Sequence, residues 1–207
     1  MKTAKIAVLV SGGGTNLQAL IDAQTAGRLQ SGRIALVLSN KAGAYALTRA
    51  ENAGIPAKTI LKKDCGSQEA FEAALIAALE DAHIDLIVLA GFLSILSEDF
   101  TSRFPERIIN VHPSLIPAFC GKGYYGLKVH EEALAYGVKV TGATVHYVNE
   151  VPDGGRILLQ KAVDVLPDDT PETLQRRVME QAEWLLLPQA AELVSRQIIM
   201  KAGKEND

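Results

Sequence analysis

Short apolar runs alternate with segments of helical spacing along most of the chain. The first run, from Lys5 to Val10, stops at Ser11, and Leu17 and Leu20 then follow at helical spacing. The same analysis predicts strands at 5–10, 34–39, 57–60, 85–90, 108–112, 139–148 and 156–165, and helices at 16–26, 44–53, 67–82, 97–103 and 127–136.

Strands that alternate with helices in this way are typical of a doubly wound sheet. We expect a Rossmann-like α/β fold with a mostly parallel sheet, flanked by helices and connected by right-handed crossovers. The 207 residues are enough for one domain with a sizeable core. A last helix is predicted from Pro171, capped by Thr170, to about Leu193. The prediction is a single domain at 1–200 and a charged, frayed tail at 201–207.

The most informative stretch, at 108–117, reads Ile-Ile-Asn-Val-His-Pro-Ser-Leu-Ile-Pro. Pro113 cannot donate a ladder hydrogen bond, so Asn110 and His112 should lie at the carboxyl edge of a strand. Open α/β sheets bind ligands at that edge, and residues two apart share a face of the strand. An amide can donate to a developing oxyanion, and an imidazole can move a proton near neutral pH. The alternative is that the pair only satisfies the hydrogen bonds of a turn.

Glycines at 12–14 lie between the first predicted strand and the first helix. Such a loop offers backbone amides to a phosphate, with the helix dipole behind them. The dinucleotide fingerprint is incomplete, because Leu17 replaces its third glycine and the second strand ends in Ser39 and Asn40 without an acidic residue. A monophosphate therefore fits better than a dinucleotide. The alternative is a tight turn that requires small residues.

A later turn reads Asp-Gly-Gly and begins at Asp153. A carboxylate placed against His112 would raise the pKa of the imidazole and orient its proton, although Asp153 could also simply cap the turn. His146 lies on a predicted strand, where a role as a partner of the site and packing in the core both remain open. His83 and His130 are predicted on helix surfaces, without a functional role.

Composition narrows the classes of function. The net charge of −3 gives no electrostatic footprint for nucleic acid or for an anionic membrane. Cys65 and Cys120 are too few for a disulfide framework, and with four scattered histidines they give no metal-site spacing. The start of the chain does not have the form of a signal peptide, and no apolar run reaches membrane-spanning length. We expect a cytoplasmic monomer or homodimer that binds small molecules and no metal.

Five segments of the chain resemble phosphoribosylglycinamide formyltransferase and occur in the same order. The resemblance spans about Lys5 to Pro188, although the His-Pro-Ser-Leu element is shared across folate-dependent formyltransferases. The segments are Val-Ser-Gly-Gly-Gly-Thr-Asn-Leu-Gln at 10–18, Leu-Ser-Asn-Lys-Ala at 38–42, Leu-Ala-Gly-Phe-Leu at 89–93, Asn-Val-His-Pro-Ser-Leu-Ile-Pro at 110–117 and Asp-Gly-Gly at 153–155.

The resemblance implies formyl transfer from 10-formyltetrahydrofolate, a co-substrate, to the glycinamide amine of a phosphoribosyl substrate in purine synthesis. The amine would attack the formyl carbon directly, without a covalent enzyme intermediate. Asn110 and protonated His112 would stabilise the tetrahedral oxyanion. Asp153 would raise the pKa of His112 and help relay protons to the departing folate nitrogen.

The resemblance also implies two binding regions. The glycine loop would hold the substrate phosphate, and Glu183, by its position before Pro188, would meet the ribose hydroxyls. Segments 93–96 and 148–153 would flank the folate pterin. The implied binding residues are Gly14, Thr15, Asn16, Leu17, Gln18 and Glu183 for the substrate, and Gln68, Leu93, Ser94, Ile95, Leu96 and Asn110 for the folate.

The chain departs from the family pattern in two places. Some members have arginines where this chain has Gln68 and Ser94, which leaves contact with the glutamate tail of the folate open. The segment 119–125 differs from the shorter loop of other members. It could reshape the entrance for substrate or be a variation of the surface.

Three alternative functions remain open. Another folate-dependent formyltransferase is expected to need an extra carboxyl-terminal domain, and a formyltetrahydrofolate hydrolase an extra amino-terminal domain. This chain is expected to have room for neither. A Rossmann-type nucleotide-binding oxidoreductase would need the complete dinucleotide fingerprint.

Overall fold

The structure, a computed structural model, describes residues 3–204. Over this range the strands are β1 (Ala4–Val10), β2 (Gly32–Ser39), β3 (Ala57–Thr59), β4 (Leu86–Leu89), β5 (Ile108–His112), β6 (Val140–Tyr147) and β7 (Ile157–Asp164). The helices are α1 (Thr15–Thr25), α2 (Tyr45–Asn52), α3 (Lys62–Cys65), α4 (Gln68–Asp81), α5 (Glu98–Ser102), α6 (Leu127–Tyr136), α7 (Pro171–Val178) and α8 (Trp184–Lys204), with a π-helical segment (Met179–Glu183) between the last two.

The described strands form one sheet in the order β3-β2-β1-β4-β5-β6-β7. Pairing is parallel from β3 to β5, whereas β6 and β7 pair antiparallel. The prediction of a single, mostly parallel α/β sheet is confirmed. The ends of the predicted elements agree with the structure to within two residues, apart from the last helix, and the short α3 was not predicted.

Helices cover both faces of the sheet because its central strands are apolar on both sides. In β1, Ile6 and Val8 pack into a core shared with α1 and α8, whereas Ala7 and Leu9 pack into a second core with Phe71 of α4. This alternation is the period of two expected for a strand. The continuous apolar run seen in the sequence is therefore the signature of a strand buried on both faces.

The last helical region differs from its prediction. It contains the π-helical segment Met179–Glu183, and α8 then continues to Lys204, well beyond Leu193. Pro188 lies inside α8, and its ring cannot supply an amide hydrogen to the preceding turn. Residues 201–204 are helical, whereas 205–207, the rest of the predicted frayed tail, and residues 1 and 2 lie outside the described residues. The spacing of apolar residues did not reveal the π-helical segment, because a π-helical turn adds only one residue to the hydrogen-bonding pattern of an α-helix.

The loop between β1 and α1 is held tightly against α2. Gly14 is the N-cap of α1 and has φ +72°, a left-handed conformation that favours glycine. A Cβ atom added at Gly14 would lie 2.6 Å from Cβ of Ala46. Gly12 and Gly13 are different, because an added Cβ would meet no atom within 4 Å there. The tight turn therefore explains why residue 14 is a glycine, whereas Gly12 and Gly13 are exposed to solvent.

We expect Gly14→Ala to destabilise the fold by about 2–4 kcal/mol, because it combines left-handed strain with a clash against α2. Gly12→Ala is the matched control and should change the free energy of unfolding by less than about 0.5 kcal/mol. Urea denaturation of both variants measures the difference. Equal stability of the two variants would contradict the role assigned to Gly14.

Candidate active site

Asn110 and His112 lie at the carboxyl end of β5, where the sheet changes from parallel to antiparallel pairing. Across the antiparallel pair, Asn110 is opposite His146 of β6. His112 is buried, with 4% of its surface exposed, and Asn110 is half-buried. The edge of the sheet therefore presents an amide and an imidazole side by side, as the sequence predicted.

Asp153 approaches this edge from the loop between β6 and β7. Its Oδ2 lies 3.4 Å from Nδ1 of His112 and accepts a hydrogen bond of 2.8 Å from the amide of Gly121. Its Oδ1 lies 3.5 Å from Nε2 of His146 and 3.5 Å from Nδ2 of Asn110. Spacing in the sequence could not show that Asp153 reaches His112, and the structure brings them together. We call Asn110, His112, His146 and Asp153 the polar cluster.

Burial and the neighbouring polar groups have opposing effects on the pKa values of His112 and Asp153. Burial lowers the pKa of His112 and outweighs the opposing effect of the Asp153 carboxylate. The predicted raised pKa of His112 is therefore wrong in its net direction, although the carboxylate acts in the predicted sense. Burial opposes ionisation of Asp153 as well, but its contacts with His146, His112 and the amide of Gly121 lower its pKa overall. An ionised carboxylate thus lies beside an imidazole that favours its neutral form.

The loop between β5 and α6 supplies main-chain partners to the polar cluster. The carbonyl of Phe119 lies 2.8 Å from Nε2 of His112 and can only accept, so Nε2 carries the proton of a neutral His112. Phe119 has φ +49°, and Gly121 and Gly123 also have positive φ values. Residues 118–126 form an irregular loop without helix or strand. Its left-handed residues let the main chain turn back toward the strand edge.

A cavity of about 500 Å³ opens beside the polar cluster. Cavities of this size accommodate small organic molecules. Leu93 and Ile95 are 55% and 64% exposed, so the wall offers apolar surface as well as polar groups. Four segments line most of the cavity, namely 91–96, 110–113, 121–126 and 148–153.

The predicted folate-binding residues take two different positions. Segment 93–96 lies in the wall of the cavity, where Oγ of Ser94 accepts a hydrogen bond of 2.8 Å from Nδ2 of Asn40. Gln68 is not among the residues of the wall. Its Nε2 donates to the carbonyl of Ile95 over 3.1 Å, so Gln68 supports the wall from behind.

The predicted substrate-binding residues at 14–18 do not line this cavity. They form the N-cap and first turn of α1, where backbone amides lack partners within the helix. The side chain of Leu17 is fully buried, so only its main chain is available to a ligand. The amide of Gln18 already donates to the carbonyl of Gly14 over 2.9 Å. The amides of the preceding residues are therefore the donors that this turn can offer to an anion.

Asn16 and Glu183 form a buried pair next to the glycine loop. Nδ2 of Asn16 donates to Oε2 of Glu183 over 2.7 Å, and Oδ1 of Asn16 is buried without a hydrogen-bond partner in the described chain. Burial raises the pKa of Glu183 to about 7, against the weaker opposing effect of Asn16. Glu183 ends the π-helical segment, and such segments are frequent at functional sites.

Comparison with known proteins gives the family of this chain. The model of the formyl transferase family matches residues 4–190. The chain belongs to the formyl transferase family.

Members of the family with purine-related names are close in sequence and structure. The phosphoribosylglycinamide formyltransferase of Haemophilus influenzae is 45% identical over 89% of this chain and 84% of that protein. The trifunctional purine biosynthetic protein adenosine-3 of Gallus gallus is 46% identical over 97% of this chain, which spans only 19% of that longer protein. The crystal structure of glycinamide ribonucleotide transformylase 1 from Symbiobacterium toebii matches with a TM-score of 0.88 and 43% identity, over 94% of this chain and 89% of that one.

The positions of two histidines of this formyl transferase did not follow from the sequence. His146 contacts the catalytic candidates directly, which the sequence left open against core packing. His130 is fully buried, so its predicted position on a helix surface is wrong. Burial, with the charge of His112, lowers the pKa of His130 to about 4. The buried neighbours Val129 and Ala133 on α6 are the signal that could have indicated its burial.

The part of this formyl transferase that the structure describes has neither a metal-binding group nor a membrane-spanning helix. Within 3–204, no group of three or more His, Cys, Asp and Glu side chains is placed to hold a metal ion. No helix in that range has the length and apolar character needed to cross a membrane.

The raised pKa of Glu183 predicts a dependence of stability on pH. Because the folded pKa lies above the ordinary value of 4.5, the protonated form is favoured in the folded state, and stability is lost as pH rises through about 7. From pH 5 to pH 8 the wild type should lose about 2–3 kcal/mol relative to Glu183→Gln, which keeps an acceptor for Asn16. Urea denaturation at both pH values measures this change. A difference between the two proteins that does not depend on pH would contradict it.

Proposed function

We propose that this member of the family transfers the formyl group of 10-formyltetrahydrofolate to the amine of 5-phosphoribosylglycinamide, a step of de novo purine biosynthesis. The observation that carries the proposal is the polar cluster, in which Asn110, His112 and Asp153 meet in the wall of the cavity. The names of the relatives from Haemophilus influenzae and Symbiobacterium toebii support the choice of acceptor.

The cavity fits a formyl folate in size and in chemistry. Its volume of about 500 Å³ and the exposed side chains of Leu93 and Ile95 suit a flat heterocycle. Segment 93–96 and Asn110 would contact the folate, and segment 148–153 would flank its pterin. Gln68 would act on the folate only through the wall that it supports. When bound, the folate supplies an activated formyl carbon.

The glycine loop would hold the phosphate of the acceptor. The amides of Gly14, Thr15 and Asn16 lie at the N-terminus of α1, where the helix dipole favours an anion. The main chain of Leu17 and the side chain of Gln18 complete this turn. Glu183 would accept hydrogen bonds from ribose hydroxyls, and the unpaired Oδ1 of Asn16 beside it would accept another.

The polar cluster has the groups that direct formyl transfer requires. Nδ2 of Asn110 can donate to the formyl oxygen while negative charge develops there. The attacking amine loses one proton when the new C–N bond forms, and the folate nitrogen gains one when its C–N bond breaks. Neutral His112 can accept the first proton and deliver the second. The Asp153 carboxylate, 3.4 Å away, stabilises the imidazolium between these steps.

The cytoplasm is the proposed place of this reaction. Cys65 and Cys120 are both free in the structure, which is usual for proteins of a reducing compartment.

The experiment follows the absorbance of the deformylated folate when the protein is mixed with 10-formyltetrahydrofolate. We expect product only when phosphoribosylglycinamide is also present. Equal product without the amine would indicate a hydrolase. No product with either mixture would overturn the proposal and favour the oxidoreductase alternative, which tight binding of a nicotinamide dinucleotide would support.

We expect His112→Asn to lower kcat by about a hundredfold or more, because it removes the group that moves both protons. His83→Asn is the matched control, since His83 is exposed and asparagine tolerates its φ of +52°. Its kcat should equal that of the wild type. Similar kcat values for the two variants would exclude His112 from the mechanism.

A further inference from the structure

His146 is the member of the polar cluster that the proposed mechanism does not use. It lies on β6 directly opposite Asn110 on β5, and only 1% of its surface is exposed. Its Nε2 lies 3.2 Å from Nδ2 of Asn110, and its Nδ1 lies 2.7 Å from the main-chain oxygen of Tyr147. Both ring nitrogens of this buried imidazole therefore make polar contacts, and one of them contacts the amide of Asn110.

The two contacts together determine where the proton of His146 lies. A carbonyl oxygen can only accept a hydrogen bond, so Nδ1 of His146 must donate to Tyr147. In a neutral ring, Nε2 then carries the lone pair and accepts from the amide nitrogen of Asn110. The contact of 3.2 Å is therefore a hydrogen bond from Asn110 to His146.

This hydrogen bond fixes which end of the Asn110 amide faces the polar cluster. The acceptor on His146 and Oδ1 of Asp153, at 3.5 Å, both lie near Nδ2 of Asn110. If the amide rotated by a half turn, its oxygen would face two acceptors instead. One N–H of Asn110 thus donates to His146, and the second makes only the long contact of 3.5 Å with Oδ1 of Asp153, which a closer ligand oxygen can replace.

The geometry points to His146 as a positioning residue that orients Asn110 as a donor toward the oxygen of the transferred group. This inference rests on the proposed function, because it gives Asn110 the oxyanion as its target. His146 acts through Asn110 and does not touch the substrate. The anchor to Tyr147 holds the ring, and the lone pair on Nε2 holds the amide.

The opposing interpretation is that His146 is an ion-pair partner of Asp153. Its Nε2 lies 3.5 Å from Oδ1 of Asp153. In that case Nε2 would carry a proton, could not accept from Asn110, and would leave the amide without its fixed orientation. The two interpretations differ in the protonation of one atom, which makes them separable by experiment.

Two substitutions separate the contacts of His146. The amide of asparagine reaches only as far as Nδ1 of histidine, so His146→Asn keeps a donor for Tyr147 and loses the acceptor for Asn110. Glutamine places its Oε1 near the position of Nε2, so His146→Gln keeps an acceptor for Asn110. We expect His146→Asn to lower kcat by about ten- to a hundredfold with KM changed less than about threefold. His146→Gln should stay within about threefold of the wild-type kcat.

The same pair is then measured in an Asn110→Ala background. If His146 acts through Asn110, His146→Asn should add less than about a twofold further loss of kcat once the amide is absent. Independent, multiplicative losses would overturn the inference, as would equal kcat values for His146→Asn and His146→Gln in the parent protein. A wild type without formyl transfer would instead overturn the proposed function, which keeps the two failures distinct.

A second readout does not depend on activity. The ¹⁵N resonances of the His146 ring in the wild-type protein at neutral pH should show a protonated Nδ1 and an unprotonated Nε2. A protonated Nε2 would overturn the inference and support the ion pair with Asp153. His146→Gln identifies the resonances by their loss.

Discussion

A carboxylate that is largely removed from water needs polar partners, and those of Asp153 come from parts of the chain that are far apart in sequence. Only 13% of its side chain is exposed. It faces His112 from β5, His146 from β6 and the amide of Gly121 from the loop before α6. Because a buried charge without partners is costly, this carboxylate ties the loop, the strand edge and the turn after β6 into one arrangement. The wall of the cavity next to it depends on the same contacts.

The position of the polar cluster follows from the topology of the sheet. β5 is the last strand of the parallel part, and β6 returns beside it in the opposite direction. The antiparallel return places His146 opposite Asn110 and then continues into the turn that carries Asp153. The change of strand direction therefore brings both His146 and Asp153 next to Asn110 and His112.

The sequence was sufficient for much of this account, since strong local signals determine it. The apolar run of β1 and the proline after β5 indicated the doubly wound sheet and the strand edge. The failures come from packing that local patterns do not encode. His130 resembles a surface residue in sequence but packs inward on α6, and its ring is fully buried. The pKa of His112 depends on burial as well as on Asp153, and only the fold shows which effect is larger. The π-helical segment before α8 leaves the apolar spacing almost unchanged.

The most direct test of the account is the turnover of Asp153→Asn with both substrates saturating, compared with its free energy of unfolding. Asparagine keeps the shape of the side chain but cannot stabilise an imidazolium at His112 by its charge. We expect kcat to fall by about a hundredfold or more while the variant remains folded. A folded Asp153→Asn variant with the turnover of the wild type would contradict it.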